Sequence, residues 1–471
     1  MRPVPDPITL SFTDGTLLLK GLGDHAGLVE GLAVWDARVG AHRAQAGAYA
    51  AICRALHGAV TYVDEAKRYE SLDLREAAPR AMRPYQIAAL AAWEAARKLG
   101  VVVLPTGAGK SYVALKAILA CQRSALVMAP TIDLVQQWVA DLSARLGTEV
   151  GQYGGGERNL RPVTVATYDS AVLFMPWHGN RFGLLIADEC HHLPAAATST
   201  AATACIAPFR LGLTATPERT DGGHERLDTL LGPIVHRTAI TELEGSFLAN
   251  YQAEIIEVAL DPDEAATYAT ARQEYLAFAR SAGVDFSKPD GWQQFLSAAS
   301  RDGRGRAAMR AHRLQRLIAR ASRAKQRACW ELLRDHGGER CLLFTDDNDS
   351  AYALGRAFCV PVLTHRTRPA ERKAMLTHFR SGRWPVIATS KVLNEGVDVP
   401  EASVGIILSG SGSVREHVQR LGRILRPQAG KTAMLYEILS AGTAEGYVSD
   451  RRRSHVAFGQ GQEELSEEPL C

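Results

Sequence analysis

The residues best suited to chemistry form a short loop between an apolar stretch and a helical pattern. Val101 to Val103 are followed by Leu104 and then by the sequence Pro-Thr-Gly-Ala-Gly-Lys-Ser, which ends at Ser111. Glycines let a backbone approach a phosphate closely, a lysine adds a cation, and a hydroxyl can bind a metal ion. A helix that begins directly after the loop adds the positive end of its dipole. The pattern therefore predicts a polyphosphate site.

We expect a nucleotide to contact this loop and Mg²⁺ to bind at its end. Lys110 would reach the β and γ phosphates, and the hydroxyl of Ser111 would bind the metal ion. Leu104 stands where the motif usually has its first glycine, so the strict spacing is only partly met. The alternative is an ordinary turn between a strand and a helix. The predicted nucleotide-binding residues are Leu104, Pro105, Thr106, Gly107, Ala108, Gly109, Lys110 and Ser111.

Two adjacent acids follow a second apolar stretch, about eighty residues after Lys110. Asp188 and Glu189 come directly after the sequence Leu-Leu-Ile-Ala. Asp188 can hold Mg²⁺, and Glu189 can orient and polarise an attacking water. Together with the loop, these acids predict a nucleoside triphosphatase that uses ATP and Mg²⁺. His191, two residues further on, either relays between the nucleotide and a partner or has a structural role.

Gln86 lies near the start of a predicted helix that leads to the phosphate loop. Its helix begins at Arg83-Pro84-Tyr85 and continues through Lys98. A glutamine amide offers a donor and an acceptor in one plane, as the edge of an adenine requires. The alternative is an ordinary solvated helix residue.

Several predicted strands end in small hydroxyl residues. Because ligands gather at the carboxyl ends of the strands in an open parallel sheet, Thr131 and Thr167 could bind a phosphate backbone. The alternative is that they cap the helices that follow them. A further strand ends in Leu-Thr-Ala-Thr-Pro, which contains Thr214 and Thr216.

In this order, the sequences PTGAGKS, ADECHH and LTATP resemble the first motor domain of superfamily 2 helicases, specifically the XPB-type group. The resemblance implies DNA as the substrate, 3′ to 5′ polarity and work in excision repair. It also implies that His191, Thr214 and Thr216 couple the nucleotide to movement. Where the family has Arg-Glu-Asp, this chain has Arg219-Thr220-Asp221, so the middle acid is missing. Arg219 is still expected at the DNA, but this change favours a motor that moves along duplex without unwinding it.

The second half of the chain alternates apolar stretches with helical patterns, which predicts a second parallel sheet. After one of these strands, residues 389–400 contain Thr389, Gly396 and Asp398. Further on, Arg423 and Arg426 are three residues apart, so both can reach one anion from the same helical face. The resemblance assigns them, with Gln419, to catalysis as arginines that act on the nucleotide from the second domain. It also implies that Gly396 and Asp398 take part in motor coupling.

Positive charge is concentrated between Arg301 and Arg327, where ten Lys or Arg residues accompany one acid. Arg306, Arg310 and Arg313 would share one helical face, as would Arg316, Arg320, Arg323 and Arg327, and a stripe so one-sided in charge favours contact with phosphates. Arg316, Arg320 and Arg323 are the residues chosen as DNA contacts. The alternative is a solvated charged face. By resemblance, this stretch belongs to a thumb-like helical insertion, predicted over residues 261–333. The hydroxyls of Thr364 and Thr389 are expected to grip the same nucleic acid.

The predicted fold class is α/β, with two RecA-like parallel-sheet domains in tandem, a small N-terminal α+β domain and a helical insertion. The domains are placed at residues 1–75, 76–240 and 241–445, with a tail over 446–471. The first domain opens with a hairpin pattern, Ile8 to Leu19, and weakly resembles the damage-recognition domain of the XPB-type family. It either stabilises the chain or senses DNA. Leu74 to Pro84 are predicted to form a linker.

Composition limits the remaining possibilities. The 471 residues are 46% hydrophobic and carry a net charge of +3, and they contain no run of about 18 apolar residues. We therefore expect no membrane partner and a cytoplasmic location. The eight cysteines include no CxxC pair, so neither a zinc site nor a disulfide framework is indicated. The expected partner is single-stranded or forked DNA. An alternative role as the ATPase subunit of a nuclease or defence complex would need a partner nuclease.

Overall fold

In the computed structural model, the described residues are 7–219, 222–243, 250–288, 290–301, 303–390, 402–409 and 432–445. The chain forms two compact units, of which the first extends to Thr238 and the second begins at Ala239. No helix in these ranges is long and apolar enough to cross a membrane.

The first unit begins with a five-stranded sheet and one helix. Asp14 and Gly15 both have positive φ, 48° and 72°, as a tight hairpin turn requires, and they confirm the predicted hairpin. The strand order is β3-β4-β2-β1-β5, and only the β1–β5 pair is parallel. Leucines of the hairpin pack against the helix in a small core. The elements are β1 (Ile8–Thr13), β2 (Thr16–Lys20), β3 (Val34–Asp36), β4 (Ala41–Gln45), α1 (Tyr49–Leu56) and β5 (Tyr62–Asp64).

The stretch that leads away from β5 is held against the rest of the unit. The amide of Leu72 donates to the carbonyl of Gln122 at 2.8 Å, and the amide of Ala77 donates to the carbonyl of Arg145 at 2.7 Å. The Glu76 side chain is only 4% exposed and forms an ion pair with Lys116. The beginning of the predicted linker is therefore packed, because its backbone and one buried carboxylate have partners in the unit.

An eight-stranded sheet forms the centre of the first unit, in the order β13-β6-β12-β11-β7-β10-β8-β9. All pairs are parallel except β8–β9. Its central strands are apolar along their length, as expected for strands covered on both faces. The strands are β6 (Leu99–Val103), β7 (Ala125–Ala129), β8 (Gly151–Gly154), β9 (Glu157–Arg158), β10 (Val163–Thr167), β11 (Leu184–Asp188), β12 (Phe209–Thr214) and β13 (Ile234–Arg237). The helices are α2 (Pro84–Ala95), α3 (Lys110–Cys121), α4 (Ile132–Leu146), α5 (Tyr168–His178), α6 (Ser199–Thr203) and α7 (Arg226–Leu230).

The second unit contains a six-stranded parallel sheet in the order β14-β19-β18-β15-β17-β16. The prediction of two parallel sheets in tandem is thus confirmed. The strands are β14 (Asn250–Val258), β15 (Cys341–Phe344), β16 (Val362–Leu363), β17 (Val386–Thr389), β18 (Val404–Ile407) and β19 (Thr432–Ser440). The helices are α8 (Ile240–Leu243), α9 (Pro262–Ser281), α10 (Gly291–Ala299), α11 (Gly303–Ala321), α12 (Arg323–Asp335), α13 (Asn348–Phe358) and α14 (Pro369–Arg380).

Four helices, α9 to α12, separate β14 from β15 in the chain. Tyr275 and Phe295 meet edge to face with ring centroids 5.2 Å apart, and His312 of α11 packs against Tyr275. The basic stretch does not form one continuous helix, because α11 ends at Ala321 and the Ser322 hydroxyl caps α12. The expectation that Arg316, Arg320 and Arg323 share one helical face is therefore wrong.

A buried cation supports the strand that leads to the candidate site. Arg210 in β12 is 6% exposed, and burial lowers the pKa of its guanidinium. The guanidinium donates to four main-chain carbonyls, those of Ala202, Cys205, Ala207 and Leu230. It therefore fastens α6, α7 and the start of β12 to one another.

Arg210→Met should lower the free energy of unfolding by roughly 2–4 kcal/mol, because the buried carbonyls lose their donor. The measurement is the midpoint of urea unfolding followed by tryptophan fluorescence. Arg158→Met, at an exposed position of β9, is the matched control and should leave the midpoint in place. A midpoint for Arg210→Met equal to that of the control would contradict a stabilising role.

Candidate functional site

The phosphate loop lies between β6 and α3. Gly107 and Gly109 have φ of 84° and 78°, in the left-handed region that favours glycine. Gly109 is also the residue that caps α3, so Lys110 opens the helix. A Cβ at position 109 would lie 2.7 Å from the side-chain nitrogen of Gln86. The left-handed backbone conformation favours glycine here, and a side chain at this position would also have to displace the amide of Gln86.

Gln86 connects helix α2 to this loop. Its Nε2 donates to the carbonyl of Ala108 at 2.9 Å, while its Oε1 accepts from the amide of Arg83 at 3.0 Å. The hydroxyl of Tyr85 donates to the same carbonyl at 2.8 Å. Gln86 is only 3% exposed, so it is a buried support of the loop and not a solvated helix residue. Its contact with adenine stays a prediction.

The structure brings the lysine of the loop close to the second acid. Lys110 Nζ lies 3.9 Å from an Oε of Glu189 and donates to the carbonyl of Leu104 at 3.3 Å. Both side chains are little exposed, at 11% and 13%. Since β6 and β11 are parallel strands of one sheet, their carboxyl ends place the two groups at the same edge.

Asp188 is buried at the end of β11. Its Oδ2 accepts a hydrogen bond from Trp138 Nε1 at 2.8 Å, and its Oδ1 accepts from the amide of Glu189 at 3.1 Å. Burial, together with the neighbouring charge of Glu189, raises the pKa of Asp188 above that of an ordinary aspartate. Two hydrogen-bond donors therefore hold the carboxylate in one orientation, although burial makes its ionised form unfavourable.

The residues present fit a nucleotide with Mg²⁺. The hydroxyl of Thr106 is buried in the loop and has no hydrogen-bond partner among the described residues. A polar ligand bound at the loop would supply that partner. No three His, Cys, Asp or Glu side chains of the described chain could form a metal site by themselves. Ser111 and Asp188 instead offer the few oxygen ligands that Mg²⁺ takes from a protein when phosphates and water supply the others.

A buried network links the acids to the end of β12. His191 Nδ1 lies 3.1 Å from the hydroxyl of Thr214 and 3.5 Å from an Oε of Glu189. The amide of Thr216 donates to the Thr214 hydroxyl, and Arg219 donates to the carbonyl of His191 at 2.7 Å. The structure thus brings His191 and Thr214 into contact with Glu189, and Thr216 into contact with Thr214.

The threonines at strand ends divide into two groups. Thr131 and Thr167 cap α4 and α5 by accepting from main-chain amides, which confirms the capping alternative, and their contact with nucleic acid stays a prediction. Thr364 and Thr389 are fully buried, and their hydroxyls bond Tyr352 and the carbonyl of Leu363. The structure does not support a contact between nucleic acid and these two hydroxyls, because burial keeps both from a phosphate.

The arginines predicted to contact DNA have acidic partners in the second unit. Arg320 forms an ion pair with Asp346, and Arg316 lies 3.9 Å from the same carboxylate. Arg323 pairs with three acids at the start of α9, namely Asp261, Asp263 and Glu264. Charge counting along the sequence missed these partners, because Asp346 follows a different strand and the other three precede Arg323 by about sixty residues.

Five predicted site residues fall outside the described residues. They are Gly396, Asp398, Gln419, Arg423 and Arg426. Two supporting residues were missed by sequence reasoning. They are Tyr85 and Trp138, two aromatic residues that carry a polar atom. The only signals in the sequence were that Tyr85 is next to Gln86 and that Trp138 lies on the helix after Thr131.

Comparison with protein families gives three matches along the chain. Residues 10–66 match the xeroderma pigmentosum group B helicase damage recognition domain. Residues 80–219 match the res subunit of type III restriction enzymes, and residues 307–463 match the ERCC3/RAD25/XPB C-terminal helicase. The first two matches lie in the first unit, and the third begins in the second unit.

Individual relatives agree with the family matches. The DNA 3′–5′ translocase XPB2 of Sulfurisphaera tokodaii is 41% identical over 372 residues, which cover 79% of this chain and 84% of that protein. The DNA 3′–5′ helicase XPB of Kineococcus radiotolerans is 30% identical over 388 residues, or 79% of this chain, and this chain spans only 62% of its length. Among solved structures, the Hef helicase domain of Pyrococcus furiosus has a TM-score of 0.53 at 18% identity, covering 78% of this chain and 98% of that one. The Hef likeness shows the fold.

Glu189→Gln should keep nucleotide binding and reduce ATP turnover by 10²–10⁴-fold, since an amide cannot take a proton from the attacking water. The measurement pairs fluorescent-nucleotide binding with steady-state phosphate release. Glu157→Gln, at an exposed position of β9, should match the unaltered chain in both. Turnover by Glu189→Gln at the rate of this control would remove Glu189 as the group that activates water.

Proposed function

The chain belongs to the XPB family of superfamily 2 helicases, and on that basis we propose that it is an ATP-driven DNA motor that moves 3′ to 5′. The observation that carries the proposal is the approach of Lys110 to within 3.9 Å of Glu189 at the edge of a parallel sheet. A cation for phosphates and an acid for water are the two groups that triphosphate hydrolysis needs in one place. The names of both relatives supply the polarity and the DNA.

In this proposal, the first unit supplies the groups for hydrolysis. Lys110 and the amides at the start of α3 bind the phosphates, and Glu189 orients the water. Ser111 and Asp188 would hold Mg²⁺, which when bound neutralises charge on the phosphates. Gln86 and Tyr85 keep the loop in shape through the carbonyl of Ala108. Gln419, Arg423 and Arg426 stay assigned to catalysis by family resemblance.

Movement begins from the buried network around Glu189. His191 contacts both Glu189 and Thr214, so a change in the charge or position of the acid reaches the end of β12 directly. Arg219, which follows β12 and is predicted to contact DNA, donates a hydrogen bond to the carbonyl of His191. It is therefore connected to Glu189 through His191. Hydrolysis is thereby coupled to a surface of the same unit.

For the second unit, we propose that nucleic acid binds the other face of the basic stretch, and not the arginines at 316, 320 and 323 that were chosen from the sequence. Arg306, Arg310 and Arg313 occupy one exposed face of α11, at spacings of four and three residues. None of the ion pairs found between described residues involves them. These three arginines can therefore contact phosphates without first giving up an acidic partner, whereas Arg316, Arg320 and Arg323 cannot.

Movement along duplex without strand separation is the second candidate. It is favoured by Thr220, which stands where the family has an acid, and by the translocase name of the relative with 41% identity. Displacement of a strand from a 3′-tailed duplex and displacement of a third strand from a triplex distinguish the two activities. A nuclease partner is a further proposal, and a nuclease that co-purifies with the chain would support it.

The test of the proposed function is ATP hydrolysis measured with single-stranded, forked and duplex DNA and with RNA. We expect DNA to raise kcat at least several-fold and RNA to have little effect. A rate that none of the DNAs changes would overturn the proposal of a DNA motor.

Changing Arg306, Arg310 and Arg313 together to Gln should reduce the salt dependence of single-strand binding. Each lost phosphate contact lowers the log–log slope by about 0.7, so the slope should fall by about 2. The comparison variant carries Gln at 316, 320 and 323 and should keep the slope while losing stability, since it breaks ion pairs within the unit. The opposite result would assign the phosphate contacts to that second set. Binding is measured by fluorescence anisotropy over a series of salt concentrations.

A further inference from the structure

Trp138 makes a specific polar contact with the acid assigned to the metal. It lies in α4, is only 4% exposed, and donates from Nε1 to Asp188 Oδ2 at 2.8 Å. The hydroxyl of Tyr168 donates to the main-chain carbonyl of Asp188 at 2.8 Å. Backbone and carboxylate of the acid are thus held by two different helices. An indole offers a single donor on a rigid ring, so this hydrogen bond depends closely on where α4 lies.

The same helix begins at a residue predicted to contact nucleic acid. Thr131 caps α4 by accepting from the amide of Leu134 at 3.3 Å, and its side chain is partly exposed. Trp138 is seven residues further on, roughly 10 Å along the helix axis at 1.5 Å per residue. Val135 and Leu142 are buried around it, so α4 is packed along this part of its length. A displacement of its first turn would therefore move the indole as well.

We propose that Trp138 is a positioning residue that makes the orientation of the Asp188 carboxylate depend on the position of α4. Nucleic acid bound at the first turn of α4 would then set how well Asp188 holds Mg²⁺. The inference rests on the proposed function, because it takes nucleic acid to bind near Thr131 and the metal near Asp188. It adds a direct path from the nucleic-acid surface to the metal, separate from the network through His191.

Physical chemistry favours such a path. A buried carboxylate without donors is poorly oriented and costly to keep charged, and the partners of metal ligands usually change metal affinity by 10- to 100-fold when they are removed. Phenylalanine fills most of the indole volume but offers no donor. Trp138→Phe therefore removes the hydrogen bond while keeping most of the packing.

The first measurement is calorimetric binding of ADP to the full chain, with Mg²⁺ and with EDTA. In Trp138→Phe, we expect the gain in affinity from Mg²⁺ to fall about 10-fold and the affinity in EDTA to stay unchanged. Trp177→Phe, at a position 66% exposed on α5, is the matched control and should behave as the unaltered chain does. An equal loss in both conditions would show a merely structural role and overturn the inference.

The second measurement is the ratio of kcat with and without single-stranded DNA, at saturating Mg²⁺. We expect this ratio to fall toward one in Trp138→Phe and to be kept in Trp177→Phe. A ratio kept in Trp138→Phe would overturn the coupling. A ratio of one in the unaltered chain would instead overturn the proposed function, and the two failures are thus distinguishable. If Trp138→Phe lowers the unfolding midpoint, Trp138→Met, which also lacks a donor but adapts its shape, repeats both measurements.

Discussion

The register of the first parallel sheet is the constraint on which the candidate site depends. Val103 pairs with Thr214 and Leu213 pairs with Asp188, so β6, β12 and β11 end at the same edge. A slip by one residue would turn alternate side chains to the opposite face and separate Lys110 from Glu189. The apolar residues of these strands are buried on both faces of the sheet, and they resist such a slip because it would have to repack both sides. The chemistry at the edge is therefore fixed by packing in the interior.

Features that depend on neighbouring residues could be predicted from the sequence. The loop at Gly107 and Gly109 was predicted because glycines let a backbone approach a phosphate closely, and both have positive φ in the structure. The two parallel sheets were predicted because apolar strands alternate with helical patterns. The acids at 188 and 189 were placed at a strand end for the same reason, and the structure brings Glu189 to Lys110 as triphosphate chemistry requires. For the loop and for the acids, the information lies in residues that are close together in the sequence.

Features that depend on contacts distant in sequence could not be predicted. Asp346 neutralises Arg320 across a separation of 26 residues, and Trp138 reaches Asp188 across 50. Neither pair leaves a pattern in one sequence, since charge and aromatic residues are common on helices. The prediction for Thr364 and Thr389 was wrong for a related reason. A hydroxyl at a strand end can form a hydrogen bond within the domain as readily as it can bind a ligand. A single sequence gives the position of such a group in an element but not its partner.

The buried acids also show that stability alone did not shape this site. Placing Asp188 and Glu189 side by side away from water costs free energy, as the raised pKa of Asp188 indicates. Trp138, the amide of Glu189 and the charge of Lys110 offset part of that cost. A cation bound between the acids and a polyphosphate would offset more, so the site is expected to become more stable as it takes up its ligand. This uncompensated electrostatic cost also allows the acids to respond to a ligand. If the acids were fully stabilised without one, binding or release would not change their interactions with His191 or with Trp138 of α4.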